Sequence, residues 1–318
     1  MPTSLVVFLL LLNIPNYTTF KKNPMIKHLI TGGCSFSVDS TGWIKYATEY
    51  LMSINPELTY SHTGYYSQGQ ELIQKKVMLS IMEALESGLK PEDIVVMVMW
   101  SGTHRKCWYI DNPSTINQIA KGWSKFVGGM SANFLDLKDS FGDAAALTIS
   151  ASGDKFPYNP NEGWYFTVDG SDCKLAFVQE HYLLDRFPGG VSKTHTSVEN
   201  IVMLQNFCKL HGIPLYQQFF MDTVYQDIEK HKDHQIINYL YKQLDFDNMI
   251  KDGMFEYVHT LLSIPREDSV NITHAERLLL DADTSYFTKD GFHPSTLGAK
   301  LWCDNILIPF LRKKNITS

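Results

Sequence analysis

Short apolar runs alternate along the chain with amphipathic segments of helical spacing. The apolar runs predict strands at 26–31, 58–62, 93–100 and 213–220. The amphipathic segments predict helices at 40–53, 70–87, 197–210 and 295–311. The run at 93–100 is unbroken, as is typical of a central parallel strand that is covered on both faces. This alternation predicts an α/β fold, a three-layer α/β/α sandwich with a mainly parallel central sheet.

Two long segments interrupt the alternation and predict insertions into the sheet domain. Residues 101–190 lack clear periodicity and predict short helices and loops, whereas residues 222–264 are polar with helical stretches. Aromatic residues make up 13% of the chain, and the first segment holds much of this excess. Aromatic side chains most often pack against one another, so our first interpretation is a small packed subdomain. The second is an aromatic cap over a ligand site.

The amino terminus leaves the start of the domain open. The apolar run at 5–12 resembles the core of a signal peptide, but no Lys or Arg precedes it. Met25 stands directly before the first predicted strand. We therefore divide the chain into a leader at 1–24 and one domain at 25–318. The leader is a weak signal peptide, a membrane-proximal segment or an extension from an upstream start codon. The protein would be cytoplasmic if Met25 is the true start, and secreted if the leader is a signal peptide.

Composition argues against several classes of partner. The 28 Lys and Arg against 34 Asp and Glu give a net charge of −6, so the usual electrostatic basis of nucleic-acid binding is missing. The five cysteines include no CxxC pair, which argues against a disulfide framework or a metal site. No apolar run reaches the roughly 18 residues of a membrane-spanning helix, so no integral membrane span is predicted.

Residues suited to acyl transfer follow the predicted strands, where the ligands of parallel sheets bind. Ser35 comes just after the glycine turn that ends the first strand, at a place where backbone N–H groups can stabilise an oxyanion. Asp290 and His293 share a tight turn, with Gly291 between them, before the closing helix. A serine nucleophile needs an imidazole base, and the imidazole needs a partner that fixes its tautomer. The loop that carries Asp290 and His293 can supply both the imidazole and its partner.

Each of these features also has a plain structural interpretation. A glycine-rich turn often carries a serine that caps a helix, and the segment from Asp290 can be a surface turn before a capping Ser295. Cys34 could itself act as a thiolate near a helix N-terminus, or it is a small buried residue that faces the sheet, which we favour. The glycine loop lacks both the GxGxxG pattern and the lysine of a P-loop, so it gives phosphate binding little support.

In their order along the chain, these motifs resemble those of the SGNH (GDSL-like) hydrolase family. The segment Gly33-Cys34-Ser35-Phe36-Ser37 matches the first block of that family, and Ser35 takes the nucleophile position. Asp290-Gly291-Phe292-His293 matches the last block. The resemblance spans 33–293 apart from the segment at 101–190. It implies the flavodoxin-like sandwich of that family, a triad of Ser35, His293 and Asp290, and chemistry that needs no cofactor.

The middle blocks of the chain depart from the family pattern. Cys34 stands where the family often has Asp, and the N–H that holds the oxyanion in the second block falls to Ser67 or Gly69. The third block lacks the family's Asn, whose side chain donates to the oxyanion. The candidates to replace this Asn are Ser101, Thr103 and His104.

The resemblance implies a serine ester hydrolase that acts on esters of carbohydrates, lipids or other small alcohols. Because aromatic residues can stack on sugar rings, we prefer a carbohydrate O-acetylesterase, with a small-ester esterase as the nearest alternative. The candidates for substrate contact, at or just beyond the end of the third strand, are Trp100, Arg105 and Trp108. Two alternatives stay open: a non-catalytic glycan- or partner-binding protein on the same scaffold, and an O-acyltransferase that uses the same triad.

Overall fold

A parallel sheet lies at the centre of the part of the chain that the computed structural model describes. That part comprises residues 26–37, 42–64, 68–103, 105–110, 147–150, 164–169, 190–269 and 271–316. Its strands are β1 (His28–Gly32), β2 (Thr59–His62), β3 (Ile94–Trp100), β4 (Arg105–Ile110), β5 (Leu147–Ser150), β6 (Trp164–Asp169), β7 (Leu215–Phe219) and β8 (Met249–Ile250). Its α-helices are α1 (Trp43–Ile54), α2 (Gln70–Glu86), α3 (Gly190–His211), α4 (Asp222–His231), α5 (Gln235–Tyr241), α6 (Met254–Leu261), α7 (His274–Leu280), α8 (Thr296–Trp302) and α9 (Ile308–Lys313).

The order of the strands determines which loops lie side by side. Five strands in the described residues form one all-parallel sheet in the order β2-β1-β3-β7-β8. His28 of β1 is in register with Thr59 of β2 and with Ile94 of β3, so β1 lies between these two strands. The carboxyl ends of all five strands meet at one edge, where ligands of such sheets bind. The loops that follow β2 and β3 therefore flank the turn that follows β1.

Helices cover both faces of this sheet. On one face α2 packs directly against β1, because a Cβ at Gly32 would lie 2.4 Å from Val77 Cγ2. Gly32 and Gln217 share one face, since both are in register with the same residue of β3. Tyr216 points to the other face, and its ring lies 6.0 Å from that of Phe310 in α9. The three-layer α/β/α sandwich predicted from the alternation of strands and helices is therefore confirmed.

The burial of the strands follows their place in the sheet. All seven residues of β3 are buried, as the unbroken apolar run predicted for a strand covered on both faces. Thr59 and Tyr60 of β2 are exposed, because β2 is at an edge of the sheet. The apolar core between the layers is built on the strands and on the inner faces of α1, α2, α3 and α8.

The segment at 101–190 differs from the predicted short helices and loops. β4, β5 and β6 form a separate antiparallel sheet in the order β4-β6-β5. Aromatic positions face each other in its register, with Trp108 opposite Phe166 and Tyr109 opposite Tyr165. Aromatic residues favour strands, but the Gly, Pro and Asn around them obscured the alternation. Most of this segment lies outside the described residues, so the choice between a packed subdomain and an aromatic cap stays a prediction.

The polar segment at 222–264 is only partly an insertion. Its residues Met249–Ile250 form β8, which pairs in parallel with β7 and completes one edge of the central sheet. Two apolar residues are too few to show any periodicity, and for this reason the strand was not predicted. The helical stretches expected here are α4, α5 and α6.

The ends of two helices differ from their predicted positions. α3 begins at Gly190 rather than 197, because Val191 is the one large apolar residue in its first two turns and these turns therefore show no apolar spacing. The closing helix contains a π-helical stretch, Cys303–Leu307, between α8 and α9. Pro309 follows this stretch and has no N–H to continue regular α-helical bonding. The predicted leader at 1–24 lies outside the described residues, and no described helix has the length and apolarity to cross a membrane.

Candidate active site

Ser35 begins a single 3-10 turn, Ser35–Ser37, just beyond the carboxyl end of β1. The Ser37 N–H donates to the Cys34 carbonyl over 2.8 Å, and the Trp43 indole N–H donates to Ser37 Oγ over 2.9 Å. This closed turn requires glycine at position 33, because a Cβ there would lie 2.1 Å from Ser37 Oγ. The local sequence thus fixes where the backbone of Ser35 leaves the sheet.

The two neighbours of Ser35 are buried, whereas Ser35 is partly exposed. Cys34 is fully buried within the hydrophobic core. The Phe36 ring makes edge contacts with the rings of Phe220 and Phe292, at centroid distances of 5.0 and 5.5 Å. Cys34 therefore occupies the buried position that we favoured for it, and the hydroxyl of Ser35 is the group of this turn that faces the polar site.

The Asp290–His293 segment is held by a short antiparallel bridge at its base. Phe287 and Pro294 form this bridge, and the Thr288 N–H donates to the His293 carbonyl over 2.8 Å. Gly291 adopts a φ of +65°, the left-handed conformation that glycine accepts without strain. The loop thereby turns sharply and returns both ionisable side chains to the same side.

A chain of hydrogen bonds joins the three predicted catalytic residues. Ser35 Oγ lies 2.8 Å from His293 Nε2, and His293 Nδ1 lies 2.5 Å from Asp290 Oδ2. An ionised carboxylate can only accept, so Nδ1 carries the imidazole proton and Nε2 accepts from the Ser35 hydroxyl. The His293 side chain is 14% exposed and that of Asp290 29%, so the chain of bonds is partly shielded from water but remains accessible.

The surroundings of Asp290 keep its carboxyl ionised. Oδ1 accepts hydrogen bonds from the N–H groups of Phe292 and His293 and from the Thr288 hydroxyl, at 2.8, 3.0 and 2.6 Å. Burial alone would raise the pKa of Asp290, but these bonds and the bond from the His293 ring outweigh it and hold the pKa well below its usual range. The carboxylate is thus a permanent acceptor for the His293 Nδ1–H.

The candidate oxyanion donors fall into two groups. Ser67 and His104 lie outside the described residues. Gly69 directly precedes α2 in an extended conformation, and Ser101 directly follows β3. Ser101 is fully buried, and its Oγ has no hydrogen-bond partner among the described residues. Because the strand order places the loops after β2 and β3 on either side of the β1 turn, Gly69 and Ser101 belong to the same edge of the sheet as Ser35.

Two glutamines outside the predicted site residues flank the start of α2: Gln68 lies in the loop that follows β2, and Gln70 is the first residue of the helix. The Gln70 side-chain N–H donates to the Ser101 carbonyl over 2.6 Å and thereby joins the loops that flank Ser35. Gln68 is fully buried, and its amide has no partner among the described residues. The sequence signal was a pair of polar amides around Gly69 at the start of an amphipathic helix, where a solvent-exposed cap would ordinarily be expected.

Of the three predicted substrate-contacting residues, Trp100 is the one whose side chain lies in the described part of the chain. Trp100 is fully buried, and its indole N–H donates to Gln217 Oε1 over 2.8 Å, so the structure places it in the core. Arg105 and Trp108 belong to β4, but their side chains lie outside the described residues. Thr103 donates to Asp227 Oδ2 over 3.0 Å, which ties the end of the β3 loop to α4.

The fold and site together define a class of arrangement: a serine, its imidazole base and an orienting carboxylate at the carboxyl edge of a parallel α/β sheet. Within the described residues, no group of three or more His, Cys, Asp or Glu side chains is placed to hold a metal ion. In comparisons with known proteins, no family model matches the chain, and no curated protein matches it in sequence.

Proposed function

We propose that this protein is a serine ester hydrolase. The observation that carries the proposal is the continuous hydrogen-bond chain from Ser35 Oγ through the His293 ring to Asp290. Ser35 and His293 are 258 residues apart, so the fold itself brings the hydroxyl to the ring nitrogen that can accept its proton. This geometry meets the requirement for an activated serine nucleophile.

In the proposed reaction, Ser35 Oγ attacks the carbonyl carbon of the ester while its proton passes to His293 Nε2. The tetrahedral intermediate collapses as the bond to the leaving oxygen breaks, and His293 returns the proton to the departing alcohol. Water then attacks the acyl carbon, again with His293 as the base. The bond between the acyl carbon and Ser35 Oγ breaks as His293 returns the proton to Oγ, and the free acid leaves. Asp290 keeps the imidazole in the tautomer that accepts from Ser35, and stabilises the imidazolium formed in each step.

The oxyanion of the tetrahedral intermediate needs hydrogen-bond donors from the protein. The first N–H groups of a helical turn have no acceptor within the turn, so the N–H of Ser35 is available for this role. The Gly69 N–H and the Ser101 hydroxyl are the described candidates from the flanking loops. We propose that these three donors replace the Asn that the SGNH family has in its third block. We also propose that the acyl group of the substrate is small, as in carbohydrate O-acetyl esters.

Labelling and hydrolysis test the proposal directly. A fluorophosphonate probe should modify Ser35, and the protein should hydrolyse p-nitrophenyl acetate or an acetylated sugar. Ser35→Ala should abolish both signals. Cys34→Ala is the matched control, because it alters the adjacent buried side chain and should leave labelling and hydrolysis in place. Absence of an adduct on folded wild-type protein, or full activity in Ser35→Ala, would contradict the proposal.

The same assay separates the alternatives. A non-catalytic glycan-binding protein would bind acetylated sugars with equal affinity in Ser35→Ala and would show no turnover. An O-acyltransferase would transfer the acyl group to an added sugar alcohol in preference to water, and product analysis would show the new ester.

A further inference from the structure

Arg277 of α7 is a buried cation outside the three residues of the proposed chemistry. Arg277 is 2% exposed. The guanidinium donates to His259 Nε2, to the carbonyl of Gly291, and to the carbonyls of Ser269 and Ile272 at 3.2 and 3.0 Å. One side chain therefore ties three segments together: α6, the stretch before α7, and the loop that carries Asp290 and His293.

The surroundings of Arg277 hold its guanidinium in a fixed plane. The rings of Phe255 and Phe287 lie 5.0 and 5.5 Å from its central carbon. His259 donates from Nδ1 to the Phe255 carbonyl over 2.7 Å, which leaves Nε2 as the acceptor for Arg277. Burial, aided by the nearby guanidinium, lowers the pKa of His259 to about 4, so this ring stays neutral at neutral pH.

Stability alone gives a weak reason for a charge at this place. No carboxylate is among the hydrogen-bond partners of Arg277 that lie in the described residues; Asp290 interacts with it only through the electrostatic field. Burying a cation is costly, and well-packed apolar side chains often serve stability equally well. An apolar side chain cannot donate to a carbonyl, whereas Arg277 donates to three, and one of these is the carbonyl of Gly291 in the loop that carries Asp290 and His293.

The hydrogen bond from Arg277 to the Gly291 carbonyl affects the orientation of the whole loop because of the conformation of Gly291. Because Gly291 has no Cβ to restrict its backbone, the peptide that joins it to Phe292 depends on hydrogen bonds for its orientation: the Phe292 N–H donates to Asp290 Oδ1, and the Gly291 carbonyl accepts from Arg277. We propose that Arg277 is a positioning residue: by fixing the Gly291 carbonyl, it holds Asp290 and His293 in the orientation that meets Ser35. The inference deepens the proposed hydrolase function and rests on it for its effect on turnover.

Arg277→Lys is the variant that tests this proposal, because it keeps the charge but loses the planar fork that reaches several carbonyls at once. Arg266→Lys is the matched control. Arg266 makes two bonds to Asp222, at 2.9 and 2.5 Å, and has no described contact with the loop that holds His293. Two readouts are taken: the kcat and KM of ester hydrolysis, and the deshielded NMR resonance of the His293 Nδ1 proton that is shared with Asp290.

We expect kcat of Arg277→Lys to fall about 100-fold with KM little changed, as a misplaced catalytic group would cause. The Nδ1 proton resonance should shift or broaden, while Arg266→Lys should lose thermal stability only. A folded Arg277→Lys protein with an unchanged resonance and unchanged kcat would overturn the proposal. If Arg277→Lys does not fold, His259→Leu replaces it, since it removes one acceptor of the guanidinium and should move both readouts in the same direction.

The resonance also separates this proposal from the hydrolase function, because it does not depend on turnover. If wild-type protein hydrolyses no ester but Arg277→Lys shifts the resonance, positioning by Arg277 is supported and the hydrolase function fails. If wild-type protein is active and Arg277→Lys matches it in both readouts, the function stands and the positioning role is refuted.

Discussion

Replacement of Asp290 by asparagine tests the electrostatic logic of the site with little change in shape. The carbonyl oxygen of the new amide can still accept the bonds that Oδ1 of Asp290 now accepts from the backbone of Phe292 and His293. The NH₂ group of the amide then faces His293 Nδ1, where the carboxylate oxygen lies 2.5 Å away in the wild-type protein. A donor there forces Nδ1 to become an acceptor, so the proton moves to Nε2. The nitrogen that faces Ser35 can then no longer take the hydroxyl proton.

The size of the expected effect follows from this change of tautomer. The same replacement in a known Ser-His-Asp protease lowers kcat by about 10⁴-fold with the geometry intact. Each tenfold loss corresponds to about 1.4 kcal/mol of transition-state stabilisation, so the expected loss is about 5–6 kcal/mol. The expected effect on folding is much smaller, because the backbone hydrogen bonds of the loop are kept.

The assay is the steady-state hydrolysis of p-nitrophenyl acetate by Asp290→Asn, with the rate of fluorophosphonate labelling at Ser35 as a second measure. Asp281→Asn is the control, because Asp281 likewise accepts two backbone N–H groups, those of Tyr286 and Phe287, but has no contact with His293 among the bonds described. Asp281→Asn should lower the melting temperature and keep the activity. If Asp290→Asn retains kcat within about tenfold of wild type, the assigned tautomer and the role of Asp290 are refuted.

Three further predictions test the supports of the site and the core. Gly33→Ala should lower kcat and destabilise the fold by about 1–3 kcal/mol, since its Cβ would collide with the turn at Ser37; retained activity in kinetic assays would refute this packing. Gln70→Leu should lower kcat about tenfold by freeing the Ser101 carbonyl, and its effect is measured beside an unrelated surface substitution in α2. Burial raises the pKa of Glu256 to about 7 in the folded protein. In the unfolded chain this carboxyl loses its proton near pH 4.5, whereas in the folded protein it keeps the proton up to about pH 7. This group therefore lowers stability as the pH rises from about 4.5 to 7, by up to about 3 kcal/mol. Glu256→Gln should remove this decline when the free energy of unfolding is measured by denaturation at several pH values. An unchanged dependence of that free energy on pH would contradict the prediction.

The central sheet was predictable because its elements carry strong local signals. The β3 run is apolar throughout and α2 has four-residue spacing, so both were predicted within a residue of their observed bounds. β8 could not be predicted, because two residues acquire strand geometry only by pairing with β7. β4 and β6 were missed for a related reason: their alternation is short, and the turn-forming residues around them suggested loops.

The site shows the same division between local and distant signals. Ser35 and the Asp290–His293 pair were found because glycine turns and a three-residue spacing are visible in the sequence, and the fold then brings them within hydrogen-bond distance. Arg277 was not found, because an arginine on a short helix ordinarily faces solvent. Its role depends on four acceptors that come from three different segments, which no local pattern encodes. The residues that perform the proposed chemistry are therefore visible in the sequence, whereas those that hold them in place become visible only in the folded structure.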